Sequence, residues 1–251
     1  MRLHPAESVA PRKEAALRRF VQKLMGSKVS GSIAGLFLFG SVAKGEAREE
    51  SDIDLLVVAT DSIEEVSRAC AEAAFDIAVE TGESVEPLVR CVDQARHPHS
   101  YFLYWTLRFA REVYRMEAGE LRRREARNYL DLSREYLEGA RRNREGGHFR
   151  IAVDAAYNCC ELAVKALLLL RLPDLPGSHG GIVQKFGELY VLTGEIPRDV
   201  GRRLAQALEK RNDARYEPHA ALGAEEAAQV ISLGEELQQI LETRFQGQTT
   251  T

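Results

Sequence analysis

The sequence lacks the features that mark membrane and secreted proteins. Its longest strongly apolar stretch, residues 163–170, is far too short to cross a bilayer. The N-terminal residues MRLHPAESVAPRKEAALRR contain no apolar signal core. We therefore expect a cytoplasmic protein with no membrane partner.

Cysteine is scarce, and neither sign of charge dominates. The four cysteines, Cys70, Cys91, Cys159 and Cys160, show no C-x-x-C spacing, so we expect reduced, structural thiols. The formal net charge is −4, so no global cationic field attracts nucleic acid. The arginine-rich run at 121–144 is mixed with Asp and Glu at helical spacing, which favours a solvated, salt-bridged face. Nucleic acid is left open as a partner but is not favoured.

The histidines offer no recognisable metal site. His97 and His99 flank Pro98, but no third ligand follows at a recognisable spacing, so we expect loop residues there. His148 and His179 lie at or within glycine-rich breaks, where the sequence predicts surface or capping residues.

The first part of the chain mixes strands with helices. Two aliphatic runs, IAGLFLFG and IDLLVVA, have the length and composition of strands buried on both faces. VEPLVRCV and REVYRM are further strand candidates. Ser62 and Glu65 have the spacing of a capping box, which predicts a helix that begins after Ser62.

After Gly119 the strand signals stop and four or five long helical patterns follow. The clearest runs from His148 to Leu170 and carries one continuous apolar stripe. We predict an α/β or α+β domain with a small mixed sheet at 1–118, an all-α helical bundle at 119–245 and a disordered tail at 246–251.

Two carboxylates interrupt the second buried strand. Side chains alternate along a strand, so Asp52 and Asp54 project to one face, about 7 Å apart along the chain. Like charges beside apolar neighbours are costly unless a cation neutralises them, and hard oxygen ligands favour Mg²⁺ or Mn²⁺. The spacing therefore indicates a metal site, although a lone D-x-D more often only opens a surface strand.

A Gly-Ser turn follows the first strand directly. Gly40 and Ser41 allow backbone amides and a hydroxyl to approach a phosphate, and Gly45 keeps the next loop free of side-chain bulk. An ordinary turn is the alternative. Phosphate and a divalent metal together indicate nucleotide chemistry.

The full arrangement, from the strand and Gly-Ser turn through Gly45 to SDID, resembles the signature of the minimal nucleotidyltransferases of the DNA polymerase beta superfamily. The resemblance covers about residues 14–118. Gly40, Ser41, Gly45, Ser51, Asp52 and Asp54 fall on its motif positions. It implies transfer of a nucleoside monophosphate, most simply AMP from ATP, to a hydroxyl acceptor by two-metal chemistry.

The resemblance also implies individual roles for these residues. Gly40 and Ser41 would hold the triphosphate, and Asp52 and Asp54 would hold the metals. Glu86 is the candidate for the third carboxylate, which binds metal and activates the acceptor, and an exposed edge-strand Glu beside Pro87 is its alternative reading. Lys44 is a candidate phosphate contact, although an exposed loop lysine is the default.

The helical part resembles the HEPN domains, which are often encoded beside or fused to such transferases. The resemblance spans about residues 124–245. In ribonuclease members an Arg-Asn pair precedes a His that activates the RNA 2′-hydroxyl. Here Tyr216 follows Arg211 and Asn212 where that His often stands, and a phenol is a poor base near neutral pH. Packing and capping are the alternative roles of Arg211 and Tyr216.

Several functions stay open at this stage. The acceptor is a protein or a small molecule, and a homodimer is not excluded. A nucleotide-binding sensor without turnover and a HEPN ribonuclease of a toxin-antitoxin system are the alternatives to the transferase. Paired systems of this kind modify a tyrosine near the Arg-containing motif, so modification of Tyr216 by its own chain is a further hypothesis.

Overall fold

The computed structural model describes residues 9–247. They form two compact units, of which the first ends at Leu121 and the second begins at Arg122. Each unit has hydrophobic clusters of its own, as expected of separate domains.

The first unit is a four-stranded sheet with helices. Its elements are α1 (Val9–Met25), a 3₁₀ turn (Ser30–Ser32), β1 (Ile33–Leu38), α2 (Gly40–Lys44), β2 (Ile53–Ala59), α3 (Ile63–Thr81), β3 (Val85–Cys91), α4 (Val92–Arg96), α5 (Tyr101–Phe109) and β4 (Arg111–Arg115). The strand order is β3-β2-β1-β4. Strand β1 runs antiparallel to β2 and β4, whereas β2 and β3 are parallel. The predicted small mixed sheet is confirmed, with β1 and β2 at its centre.

The two faces of β2 pack against different helices. Ile53, Leu55 and Val57 are fully buried in a cluster with residues of α1 and α3. Leu56 and Val58 point to the opposite face, in a cluster that includes Leu103 of α5. Because side chains alternate along a strand, Asp54 projects to the face of the sheet that carries α5.

The second unit is helical, which confirms the predicted bundle. Its helices are α6 (Ala118–Glu145), α7 (Phe149–Leu169), α8 (His179–Phe186), α9 (Arg198–Tyr216) and α10 (Ala224–Gly247), with a π-helical turn at Gly187–Val191. α6 begins in the first unit. α7 is the most buried helix, and its Cys159 and Cys160 are free thiols with no exposure. Burial raises the pKa of Cys159 to about 11. The burial of the two thiols and this raised pKa fit the prediction that the cysteines are reduced and structural.

Two local predictions differ from the structure. Ser62 has a left-handed backbone (φ 51°), and its side chain makes no capping hydrogen bond, so the predicted capping box is wrong. A serine in that conformation does not direct its hydroxyl at the first free amides of the helix. Gln246 and Gly247, the first residues of the predicted tail, belong to α10, and 248–251 lie outside the described residues. None of the helices within 9–247 is long and apolar enough to cross a membrane.

Candidate functional site

The carboxylates predicted to bind metal lie at one end of the parallel strand pair. Asp54, the second residue of β2, is half-buried, and its register partner on β3 is Glu86. Asp52 directly precedes β2 and is exposed. Register partners on paired strands place their side chains within reach of each other. The structure therefore brings Glu86 beside Asp54, and it also leaves Glu86 exposed on an edge strand, as the alternative reading required.

These carboxylates carry negative charge without a compensating cation. Burial, followed by the charges of Asp52 and Glu86, raises the pKa of Asp54 above its ordinary value. Among the described residues, none of the three carboxylates forms an ion pair with Lys, Arg or His. Oxygen donors with uncompensated charge are the donor set that Mg²⁺ or Mn²⁺ takes.

Residues 9–247 contain no cluster of three or more His, Cys, Asp or Glu side chains already converged on a metal position. Three carboxylates without a cation between them repel one another. The donor set fits a divalent ion by its chemistry and by the Asp54–Glu86 register, and the metal assignment stays a prediction.

The Gly-Ser turn lies directly against Asp54. Gly40 begins α2 with a left-handed backbone (φ 72°), and a Cβ atom there would lie 1.9 Å from Oδ2 of Asp54. The amide of Phe39 donates to the Asp54 carbonyl at 3.0 Å, which ties the turn to β2. Only glycine fits this position, because any side chain would occupy the space of the carboxylate. Ser41, the next residue, is half-buried.

The remaining predicted nucleotide-binding residues surround this turn. Lys44 is exposed at the last position of α2, and Gly45 ends that helix in the left-handed region (φ 74°). The Ser51 hydroxyl accepts a hydrogen bond from the Arg48 amide at 2.9 Å. Ser51 therefore closes the turn that precedes Asp52, a role that needs no nucleotide.

A buried lysine that the sequence did not single out anchors the turn that precedes Asp52. Lys13 on α1 is 1% exposed, and its Nζ donates to the Ser51 carbonyl at 2.5 Å and to the Glu49 carbonyl at 3.2 Å. It also pairs with buried Glu83 at 2.7 Å, and Arg12 pairs with the other oxygen of Glu83 at 2.9 Å. The only signal in the sequence is a charged residue within the apolar stripe of α1.

The second unit holds a separate polar cluster around Arg211. This arginine is 5% exposed, and its Nη2 lies 3.2 Å from Nε2 of His179. The other His179 nitrogen, Nδ1, lies in close contact with Glu161 Oε2. An arginine only donates hydrogen bonds, so Nε2 accepts, and neutral His179 carries its proton on Nδ1 and donates it to Glu161. Both ring nitrogens are thus engaged.

Further charges complete the cluster. Burial pushes the pKa of Glu161 upward, but hydrogen bonds from Lys165 and His179 outweigh burial and hold that pKa below its ordinary value. Among the described residues, the buried Nε of Arg211 has no hydrogen-bond partner. Arg211 Nε lies 3.7 Å from Asp154, whose carboxylate binds Arg215 at 2.5 Å.

His179, Tyr216 and Asn212 take different positions in and around this cluster. His179 is exposed, as the surface prediction has it, while Ser178 caps α8 and the His179 ring contacts Arg211 and Glu161. Tyr216 is 67% exposed, so it does not contribute the helix-end packing considered for it. Asn212 is exposed and its side chain accepts from Arg211 at 3.1 Å.

Comparison with known families gives two matches that follow each other along the chain. The family described as "Nucleotidyltransferase domain" matches residues 17–128. The family described as "HEPN domain" matches residues 126–244.

The names of individual relatives agree with these two family matches. The chain is 38% identical over 74 residues to a "Putative protein adenylyltransferase" of Methanocaldococcus jannaschii. The aligned segment makes up 30% of this chain and 73% of that protein. It is also 26% identical over 121 residues to a "Putative toxin" of the same organism. That aligned segment makes up 48% of this chain and 82% of the relative.

One solved structure aligns along most of the chain. It is a spectinomycin adenyltransferase from Enterococcus faecialis with ATP and spectinomycin. The alignment covers 92% of this chain and 99% of that one, at 12% identity and a TM-score of 0.31. A score that low carries no argument about ligands.

Proposed function

Because the chain belongs to the nucleotidyltransferase domain family and carries a HEPN domain after it, we propose that it transfers AMP from ATP to a hydroxyl group of a protein. The enzyme class follows from the family. The choice of AMP and of a protein acceptor is supported by the name of the relative at 38% identity.

The observation that carries the proposal is the meeting of three strand ends. Asp54 on β2 pairs in register with Glu86 on β3, and Gly40 at the end of β1 packs on the Asp54 carboxylate. This arrangement puts a turn suited to phosphate on one side of Asp54 and an exposed carboxylate on the other side. Nucleotidyl transfer needs the acceptor oxygen and the leaving pyrophosphate roughly in line at the α-phosphorus, with groups nearby that would hold divalent ions.

The proposed reaction breaks one bond and forms one bond at the α-phosphorus. The acceptor oxygen attacks it, the bond to the β-phosphate oxygen breaks, and pyrophosphate leaves. Divalent ions, when bound, would stabilise the charge on the attacking and leaving oxygens. Asp52, Asp54 and Glu86 would hold those ions, and Glu86 would take the acceptor proton. The Gly40–Ser41 turn would orient the triphosphate, with Ser51 closing the loop before Asp52 and Lys44 beside the phosphates.

The direct test is incubation with each radiolabelled NTP and Mg²⁺, followed by separation of protein-bound from small-molecule label. We expect protein-bound label from ATP when a lysate supplies the acceptor. Asp52→Asn and Asp54→Asn should each abolish transfer, whereas Asp93→Asn, an exposed carboxylate on α4, should not. Near-normal turnover in either of the first two variants would contradict the metal assignment.

Glu86 has its own test, because binding and chemistry should separate there. Glu86→Gln should reduce the single-turnover rate by about a hundredfold or more while ATP affinity, measured by calorimetry, changes little. Glu72→Gln, an exposed glutamate on α3, is the matched control. Unchanged turnover in Glu86→Gln would assign the base to another residue.

A further inference from the structure

Helix α5 exposes an unusual number of aromatic side chains. Between 37% and 77% of each of Tyr101, Phe102, Tyr104, Trp105 and Phe109 is exposed, while Leu103 and Thr106 on the opposite side are buried. Trp105 and Phe109 stack on each other, with ring centroids 4.9 Å apart. Exposed aromatic rings in contact with one another are typical of a binding surface.

A cavity joins this helix to the Gly-Ser turn. Its volume is about 310 Å³, and its walls include Phe39, Gly40, Lys44, Trp105, Thr106 and Phe109. The ring of Phe39 meets Phe102 edge-on at 5.8 Å, which continues the aromatic wall across the turn. The lining is therefore apolar and aromatic, with a lysine and a threonine as polar groups, a composition typical of small-molecule sites.

The cavity is continuous with the site described above. Gly40 lines the cavity and also touches the Asp54 carboxylate. Asp54 and α5 lie on the same face of the sheet. Whatever occupies the cavity thus lies beside any phosphate bound at the Gly40–Ser41 turn.

We propose that this cavity binds the base of the nucleoside triphosphate, by stacking on Trp105 and Phe109. This inference rests on the proposed function. Any base presents a flat π-face that aromatic side chains bind. Lys44 lies where it can reach the attached phosphates.

The strand order argues for the nucleotide and against the acceptor as the occupant. Glu86 on β3 lies on one side of Asp54, and Gly40 at the end of β1 lies on the other side. In an in-line transfer the acceptor oxygen approaches opposite the leaving pyrophosphate. The acceptor therefore approaches on the side of Glu86. The cavity beyond Gly40 lies on the opposite side of Asp54, which leaves it to the nucleotide rather than to the acceptor.

The chain provides its own probe, because Trp105 is its single tryptophan. Titration with ATP and Mg²⁺ should quench tryptophan fluorescence to saturation. Inorganic triphosphate with Mg²⁺ should bind by calorimetry and leave the fluorescence unchanged. Phe109→Ala should weaken ATP binding about tenfold or more and leave triphosphate affinity unchanged, because only the base loses its stacking partner. Phe75→Ala, which removes another exposed phenylalanine, 69% exposed and on α3, should change neither.

The outcomes separate this inference from the function on which it rests. If ATP and triphosphate bind but Trp105 fluorescence does not change and Phe109→Ala binds both normally, the base binds elsewhere, the inference is overturned and the proposed function stands. If Phe109→Ala binds ATP normally but loses transfer to the acceptor, the cavity belongs to the acceptor and the inference is again wrong. If neither ligand binds the wild-type protein, both proposals fail.

Discussion

Gly40 connects the Gly-Ser turn to the carboxylate that the proposed chemistry needs. Its positive φ and its contact with Asp54 are two separate reasons for glycine at this position. Gly45, at the other end of α2, shares the positive φ, but a Cβ atom placed there would have no neighbour within 4 Å. The two glycines therefore separate backbone strain from a steric effect on the site.

Gly40→Ala should abolish or reduce transfer by at least about a hundredfold, because the new methyl group displaces Asp54 by an ångström or more. Gly45→Ala should cost the strain of a left-handed alanine, on the order of 1 kcal/mol, and should slow transfer far less than Gly40→Ala. Transfer rates and urea unfolding of both variants check this. Equal rates in the two variants would show that the Gly40–Asp54 contact does not matter for catalysis.

Asp54 should also give the metal-free protein a characteristic pH dependence. Its pKa in the folded protein is raised above the ordinary 3.8, chiefly by burial and then by Asp52 and Glu86. Protonated Asp54 therefore stabilises the folded protein relative to the unfolded chain. This contribution is fully present below pH 3.8 and is lost as the pH rises through the raised pKa of Asp54. A neutral side chain at this position avoids that loss.

Asp54→Asn should therefore be at least as stable as the wild type at neutral pH in EDTA, with the difference disappearing at acidic pH. Added Mg²⁺ should raise the melting temperature of the wild type but not of the variant. Thermal denaturation across the pH range, with EDTA and with Mg²⁺, measures both effects. A variant less stable than the wild type in EDTA would indicate that Asp54 is a structural residue.

At the scale of elements, α1 supports the loop that ends at Asp52. Lys13 joins α1 to this loop through two carbonyls and to the start of β3 through Glu83. Removing one partner of a buried pair typically costs about 3–5 kcal/mol. Arg12 still pairs with Glu83, so the lower end of that range applies.

Lys13→Met should accordingly lower the free energy of unfolding by about 3 kcal/mol and should also slow transfer, since the loop before Asp52 loses its anchor. Lys23→Met removes a lysine from the same helix that makes exposed ion pairs with Asp76 and Glu80. It should destabilise the protein far less and leave the rate unchanged. Urea unfolding and single-turnover assays compare the two, and equal losses of stability would refute the anchoring role.

At the scale of the whole molecule, the two units carry distinct polar sites on one chain. The first contains the three carboxylates and the Gly-Ser turn, and the second contains the cluster around Arg211. Tyr216 lies five residues after Arg211 and is exposed at the end of α9. A target on the same chain has an effective concentration in the millimolar range when the connection permits contact.

The self-modification hypothesis predicts that intact mass increases by one AMP after incubation with ATP and Mg²⁺. Tyr216→Phe should remove the added mass, and Tyr136→Phe, which changes an exposed tyrosine on α6, should retain it. An unshifted mass in a preparation that modifies another acceptor would rule the hypothesis out. The HEPN domain would then have a structural or recruiting role.

Local patterns in the sequence predicted most elements of the first unit and singled out its candidate site residues. The aliphatic runs predicted β1 and β2, because strands buried on both faces need continuous apolar residues. Asp52, Asp54, Gly40 and Ser41 could be singled out because their spacing along the chain is short and typical. The same is true of the apolar stripe of α7, which predicted the core of the helical unit.

Only the tertiary structure decided which distant residues meet. The register of β2 on β3, which pairs Asp54 with Glu86, depends on how two strands align, and alternation along one strand does not encode it. Lys13 and Glu83 are 70 residues apart, and Arg211 and His179 are 32 apart. The aromatic wall beside Gly40 likewise needs α5 to pack on the face of the sheet that carries Asp54. Local sequence patterns report on residues within a few turns or strand positions, whereas these contacts form only when the whole unit packs.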